Sequence, residues 1–157
     1  MFLKSILAGL TLAVSMSGVA LAGDSCLDAA SKAGRDQTTA AKFRCATCHQ
    51  FDPSKPPTVG PNLHDIYGAK IGSDAKFDTR YSKSMKDAGT KVAAWDDANL
   101  EGYLRDPKGW LVKATGDANP VNKMPPVLVG KPQAEIDKAV VEILAYLKAI
   151  KGKADCF

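Results

Sequence analysis

Hydrophobic positions recur at helical rather than strand spacing along this chain. The clearest helix has Pro132 in its first turn and ends at Gly152, and its apolar stripe comprises Ile136, Val140, Ile143, Leu147 and Ile150. No run of alternating β-branched residues predicts a strand. The pattern therefore predicts an all-α chain of about five helices joined by long loops.

Three further helices are predicted from capping residues. The first begins at Asp36 as N-cap and continues into Cys45. A short one covers residues 81–89 and ends at Gly89, and another covers residues 95–106, with Asp96 as N-cap and Pro107 just past its end. Residues 52–62, with four prolines, and residues 112–132 are predicted to be irregular. Because such long loops are unusual in a compact domain, a cofactor filling the centre would explain them.

The first 22 residues are typical of a cleaved signal peptide. Lys4 precedes an apolar run broken by glycine and serine, and the segment ends in the small-residue cleavage pattern Ala20-Leu21-Ala22. We therefore expect a single domain over residues 23–157, exported to the periplasm and without a membrane anchor. The net charge of +4 is mild and the basic residues are scattered, which argues against nucleic-acid binding.

The motif C-x-x-C-H at residues 45–49 carries the candidate chemistry. A structural zinc site needs a second pair of Cys or His ligands, and no second C-x-x-C is present. A redox dithiol belongs to a βαβ unit, which the pattern does not predict. In the third interpretation, two thiols on one helical turn attach a c-type haem. We therefore predict one covalent haem c, attached by Cys45 and Cys48 and ligated by His49.

The iron then needs a sixth ligand. Met124 lies in an extended segment rich in proline, far along the chain from His49, and can approach the iron from the other side. Met85 stands at helical spacing, which is typical of core packing, and His64 follows closely behind His49. We favour Met124, with Met85, His64 or an open coordination position as the alternatives.

Taken together, these motifs resemble the class I cytochromes c of the mitochondrial and photosynthetic-bacterial type. The resemblance covers residues 36–151 and rests on "CATCH", "GPNLHDIYG", "YS", "W…YLRDPKGW", "NKM" and "ILAYLK", in the family's order. It implies the class I cytochrome c fold wrapped around one covalent haem c. It also implies an electron carrier rather than an enzyme, with no catalytic residues.

The resemblance implies roles for five further residues around the cofactor. The carbonyl of Pro61 would accept the second ring N–H of the proximal histidine, which fixes its tautomer. Tyr81 and Trp95 would hydrogen-bond a buried haem propionate. Tyr103 would lie beside the axial sulfur, and Asn122 stands where a hydroxyl residue commonly contacts a propionate.

The chain departs from the family pattern in three places. Ala69 stands where the family often has an arginine near a propionate, and the stretch 110–124 is longer than typical. The first helix, as predicted, lacks the usual glycine and aromatic residue and has Gln37 and Ala41 instead. Its packing against Tyr146 of the last helix is therefore an open expectation.

Cys26 and Cys156 flank the two terminal helices, which pair in the fold that the resemblance implies. Because an exported chain meets oxidising conditions, we expect these two cysteines to form a disulfide.

The leading functional expectation is a soluble, monomeric periplasmic carrier of single electrons. Its partners would be redox proteins: a donor dehydrogenase or membrane complex, and an acceptor oxidase or reaction centre. Lysines near the exposed haem edge would steer these encounters, the candidates being Lys70, Lys113, Lys123 and Lys131. One alternative is a dedicated subunit of a periplasmic dehydrogenase or sulfur-oxidising complex. The other is an open-site haem enzyme or gas binder.

Overall fold

Five α-helices joined by long irregular segments make up the computed structural model, which describes residues 25–39 and 42–157. They are α1 (Ala29–Thr38), α2 (Lys83–Lys91), α3 (Asp97–Arg105), α4 (Pro107–Thr115) and α5 (Gln133–Ile150). Two short 3-10 turns cover Cys45–Thr47 and Asp78–Arg80, and no strand occurs within the described ranges. The all-α prediction is confirmed. The expected signal peptide, residues 1–22, lies outside the described residues.

The first helix begins earlier than its sequence predicts. Asp28, not Asp36, is the N-cap, because its carboxylate accepts the backbone N–H of Ser31 at 2.8 Å and the Ser31 hydroxyl at 2.7 Å. The helix ends at Thr38, so Cys45 lies in a separate 3-10 turn. The predicted helix from Asp36 into Cys45 is therefore wrong at both ends.

The terminal helices cross closely through a glycine. A Cβ at Gly34 of α1 would overlap the carbonyl of Glu142 and lie 2.7 Å from Cβ of Tyr146, both in α5. Gln37 also donates to the Glu142 carboxylate at 2.6 Å. Tyr146 is 1% exposed at this crossing. The expectation that the first helix lacks a packing glycine is wrong, because the helix that forms includes Gly34.

Two predicted helix ends are also corrected. Gly89 does not end α2, which continues to Lys91. The glycine is buried inside the helix, where its lack of a side chain lets the helix pass close to the carbonyl of Ile71. Pro107 not only follows α3 but begins α4, since Asp106 accepts the N–H of Gly109 at 2.9 Å and proline suits the first helical position. Residues 112–115 are consequently helical rather than irregular.

The helices α3 and α4 contribute an aromatic cluster to the core. The rings of Trp95 and Trp110 stack with centroids 5.0 Å apart, and Tyr103 contacts both at 5.2 and 5.5 Å. Aromatic groups bury large apolar areas, and such pairs contribute stability beyond that burial. The three rings join α3, α4 and the residue Trp95 just before α3 into one apolar cluster.

No helix in the described part of the chain is long and apolar enough to cross a membrane.

The chain ends are joined covalently. Cys26 and Cys156 form a disulfide with Cα atoms 6.0 Å apart. Cys156 is 1% exposed, so the bond lies against the core rather than on the surface. The expected pairing of these two cysteines is present in the fold.

Candidate functional site

A cavity of about 800 Å³ opens at the centre of the helices and receives most of the residues singled out in the sequence. Its wall is mainly apolar and includes Leu63, Ile66, Leu100, Ile143 and Leu147. Three cations, Arg44, Arg80 and Lys123, also line it. No Asp or Glu is found among the described residues that line it. The cavity therefore suits a large, mainly apolar ligand that carries negative groups.

The C-x-x-C-H motif forms a tight turn on the cavity wall. Arg44 adopts a left-handed backbone with φ of 61°, which is uncommon for a residue other than glycine, and caps the 3-10 turn. The carbonyl of Cys45 accepts the N–H of Cys48 at 3.0 Å and that of His49 at 2.9 Å. This turn brings both thiols and the imidazole to the same cavity. Burial raises the pKa of the Cys45 thiol to about 11, so the thiol is protonated near neutral pH.

His49 is held in one orientation by the segment that follows it. Its Nδ1 lies 2.8 Å from the carbonyl oxygen of Pro61, which places the proton on Nδ1 and leaves Nε2 free as a ligand. A Cβ at Gly60 would lie 2.6 Å from that Nδ1, so the loop passes too close for any larger residue. Burial lowers the pKa of His49, with the Pro61 carbonyl opposing it, and this favours the neutral, metal-binding imidazole.

Met124 also lines the cavity, and a neighbouring amide fixes its backbone. The side-chain oxygen of Asn122 accepts the N–H of Met124 at 3.2 Å, and its NH₂ group donates to the Met124 carbonyl at 2.7 Å. The Tyr103 hydroxyl donates to the same Asn122 oxygen at 3.4 Å. Asn122 therefore holds the Met124 backbone directly. The family resemblance, which places Asn122 near a propionate, does not suggest this role.

The predicted aromatic residues all reach the cavity. Tyr81, Trp95 and Tyr103 are among the lining residues, and Trp95 is 5% exposed. Burial raises the pKa of Tyr81 to about 12 and that of Tyr103 further, so both phenols stay protonated donors. Phe77 packs edge-on against Tyr81 with centroids 5.0 Å apart.

The two other candidate ligands are placed differently. Met85 lines the cavity from α2 and is 9% exposed. His64 is not among the lining residues, and its Nε2 lies 2.9 Å from the carbonyl of Lys153 near the chain end. Sequence reasoning missed Arg44 and Arg80 on the wall. Their places beside Cys45 and Tyr81 in the sequence were the signal that could have found them.

The residues present fit a covalently attached haem. Two cysteine thiols, a tautomerically fixed imidazole, a thioether and polar donors surround one apolar space. The Gly60 backbone leaves room for the His49 ring, a gap that a Cβ would fill. Imidazole and thioether are the axial donors that hold haem iron in cytochromes c.

Comparison with known proteins finds relatives that cover most of the chain. Cytochrome c2 of Pararhodospirillum photometricum is 35% identical over 111 residues, covering 71% of this chain and 91% of the relative. Cytochrome c-550 of Novispirillum itersonii is 38% identical over 107 residues, covering 68% and 89%. Among solved structures, cytochrome c2 from Rhodobacter sphaeroides matches with a TM-score of 0.59 and 33% identity, covering 74% of this chain and 92% of that one. No family model matches the chain.

These relatives are matched over about nine tenths of their own length. The resemblance to the class I cytochromes c is thereby confirmed at the level of sequence and of fold. The chain belongs to the class I c-type cytochromes, electron carriers with one covalently attached haem c.

Proposed function

We propose that this chain shuttles single electrons between redox proteins of the periplasm, with His49 and Met124 as the two side chains that would ligate its haem iron. The observation that carries the proposal is the pair of fixed ligands on one cavity. The Pro61 carbonyl holds the His49 ring at 2.8 Å, and Asn122 holds both backbone groups of Met124. Ligation by both side chains would leave no open coordination position, and the haem would then supply one-electron exchange.

Cys45 and Cys48 would supply the covalent attachment. Both thiols are free and partly buried on the cavity wall, and the 3-10 turn between them keeps them one helical turn apart. Placing the two thiols and His49 on or beside a short, capped turn limits their movement when the charge of the centre changes. A rigid centre of this kind suits electron transfer, because little has to reorganise as the oxidation state alternates.

Tyr81, Trp95 and Tyr103 would orient the cofactor and keep water away from it. Buried phenol and indole groups need hydrogen-bond partners, and the carboxylate arms of a haem are acceptors of the right kind. Arg80 and Lys123 add positive charge to the same wall. Asn122 supports this arrangement through Met124 and Tyr103.

The partners proposed are a donor dehydrogenase or membrane complex and an acceptor oxidase or reaction centre. Of the four candidate lysines, Lys123 lines the cavity, whereas Lys70, Lys113 and Lys131 are exposed elsewhere. Exposed cations would steer the chain toward acidic partner surfaces in weak, salt-sensitive encounters. If the bimolecular electron-transfer rate does not fall as ionic strength rises, this electrostatic steering is refuted.

Optical spectra of the oxidised and reduced holoprotein test the ligand assignment. We expect a reduced c-type haem spectrum and the weak red band of methionine bound to ferric iron. Met124→Ala should lose that band and bind carbon monoxide when reduced, while Met85→Leu, at the other cavity methionine, should keep the parent spectrum. A parent protein that lacks the band and binds carbon monoxide readily would instead be an open-site haem enzyme or gas binder.

The second candidate function is a permanently docked subunit of a periplasmic dehydrogenase or sulfur-oxidising complex. It is favoured by two exposed valines beside the Met124 segment, since Val121 is 56% and Val129 59% exposed. Size-exclusion chromatography of native periplasmic extract separates the two functions. A free carrier elutes as a monomer, and a docked subunit elutes with its complex.

A further inference from the structure

The segment between α4 and Met124 is tied to α2 at two points. The hydroxyl oxygen of Ser84 accepts the backbone N–H of Val121 at 2.8 Å. At the other end of the segment, the Lys91 ammonium donates to the carbonyl of Thr115, the last residue of α4. Ser84 and Lys91 are seven residues apart, so they lie on the same face of α2, two turns from each other.

Of the two residues of α2 that hold the segment, Ser84 is buried and Lys91 is exposed. Ser84 is 6% exposed and next to Met85, which lines the cavity, so its hydroxyl acts from within the protein. In the stretch that it holds, Asp117, Ala118 and Asn119 are exposed, whereas Pro120, directly before Val121, is buried. The N–H of Asp117 donates to the Thr115 hydroxyl at the end of α4, and that of Asn119 donates to the Asp117 carboxylate within the segment, so neither bond reaches α2.

From Val121 the constraint passes directly to Met124. Asn122 follows Val121 and hydrogen-bonds both the N–H and the carbonyl of Met124. Because three consecutive peptide units join Val121 to Met124 with this amide bridging them, a shift at Val121 moves the Met124 backbone. The Ser84 hydroxyl is thus coupled to the position of the thioether, although it does not contact that group.

We propose that Ser84 is a positioning residue for the sixth ligand and sets how firmly Met124 holds the iron. This inference rests on the proposed ligation by Met124. It assigns to α2 a function in ligand retention that its sequence does not suggest. The effect is local, because Ser84 bonds the segment that carries Met124 and not the turn that carries Cys45 and His49.

The test is imidazole binding to the ferric holoprotein, since added imidazole can bind the iron only where it displaces Met124. In Ser84→Ala the lost hydrogen bond should raise the imidazole affinity about fivefold. The red methionine band should also disappear at a lower pH than in the parent. Thr90→Ala is the matched control, because its exposed hydroxyl on the same helix bonds only the Asp87 carbonyl within that helix, and it should behave as the parent.

Ser84→Thr keeps the acceptor oxygen and separates the hydrogen bond from packing. It should keep the parent's imidazole affinity even if its added methyl group lowers the unfolding midpoint. If Ser84→Ala unfolds more easily but binds imidazole as the parent does, Ser84 is merely structural and the inference fails while Met124 remains the ligand. If the parent shows no methionine band at all, the ligand assignment fails, and the role of Ser84 fails with it.

Discussion

The imidazole of His49 is constrained from two sides by consecutive residues. Pro61 accepts its Nδ1–H at 2.8 Å, and the Gly60 backbone lies against the ring face. A hydrogen bond alone would allow the ring to tilt, and close packing alone would not choose the tautomer. Together they fix both the direction and the protonation of the imidazole, as the proposed ligation of the haem iron would require.

At Gly60, replacement by alanine should therefore displace the His49 ring. We expect Gly60→Ala to lower the free energy of unfolding of the holoprotein by about 1–3 kcal/mol, the usual cost of overpacking. Thermal unfolding followed at the haem absorbance measures this. Lys55→Ala is the control, because Lys55 is exposed and does not line the cavity, and it should leave the midpoint unchanged. Equal midpoints for parent and Gly60→Ala would contradict the close approach.

Single residues were predicted from the sequence with unequal success. The C-x-x-C-H motif could be identified because its chemistry depends on fixed spacing, and Pro61 is implied by the family resemblance; all of them reach the cavity. The resemblance places Asn122 near a propionate, and the structure shows in addition that its amide holds the Met124 backbone. Ser84 could not be found at all, because a hydrogen bond to a residue 37 positions away leaves no local pattern.

Among the helices, α1 and α5 form the closest pair, and Gly34 sets their separation. A Cβ there would overlap the Glu142 carbonyl, which is backbone and cannot turn aside. The crossing also includes the bond from Gln37 to the Glu142 carboxylate at 2.6 Å. A small residue at the contact point lets the two helices approach until their backbones touch.

Gly34→Ala should therefore destabilise the protein, although alanine normally favours helices over glycine by about 1 kcal/mol. We expect a loss of about 1–3 kcal/mol in the free energy of unfolding, because the two helices must move apart. Denaturant unfolding measures the change, with Lys32→Ala on the exposed side of α1 as the control. A Gly34→Ala protein more stable than the parent would show that the helices are not in contact at this point.

The cap of α1 predicts a dependence on acid. Hydrogen bonds from the Ser31 side chain and backbone hold the pKa of Asp28 below its ordinary value of 3.8. The ionised cap therefore contributes stability above the unfolded-state pKa, and the contribution is lost as pH falls through the lower folded-state pKa. Asp28→Asn keeps an acceptor without a charge, so its stability deficit should be constant above pH ~4 and shrink below it. A deficit independent of pH down to full protonation would contradict the lowered pKa.

Helices were predicted well where a single capping residue decides the boundary, as at Asp96, which accepts the N–H of Asn99 at 2.9 Å. They were misplaced where two candidates compete, as Asp28 and Asp36 do for α1. α4 was overlooked because Pro107 both follows one helix and begins the next. Local sequence does not distinguish these cases, since the position of a helix boundary also depends on how the helix packs against the rest of the fold.

At the scale of the whole molecule, the disulfide closes almost the entire described chain into one loop. Cys26 and Cys156 are 130 positions apart, and the bond joins the segment before α1 to the turn after α5. A crosslink over so long a loop removes many conformations from the unfolded chain. It therefore reinforces the α1–α5 crossing without adding contacts to it.

Replacing both cysteines, Cys26→Ala with Cys156→Ala, should lower the free energy of unfolding by about 4–5 kcal/mol in the chain-entropy model. Denaturant unfolding of the holoprotein measures this. The haem spectrum serves as the control and should not change, because the bond lies outside the cavity wall. A count of two free thiols in the unreduced parent would contradict the bond itself.

The long loops do indicate a cofactor, because the helices alone leave an apolar space of about 800 Å³ between them. The path of those loops could not be predicted. It depends on contacts such as the one from the Lys123 ammonium to the Arg80 carbonyl, at 2.8 Å across 43 residues.

The burial of Cys45 affects its ability to exchange with the Cys26–Cys156 disulfide. Thiol–disulfide exchange begins with a thiolate, and a pKa of about 11 instead of 9.0 makes the Cys45 thiolate about a hundredfold rarer at a given pH. The target sulfur of Cys156 is itself buried at 1% exposure. Cys45 in this fold is therefore a poor attacker of a shielded disulfide.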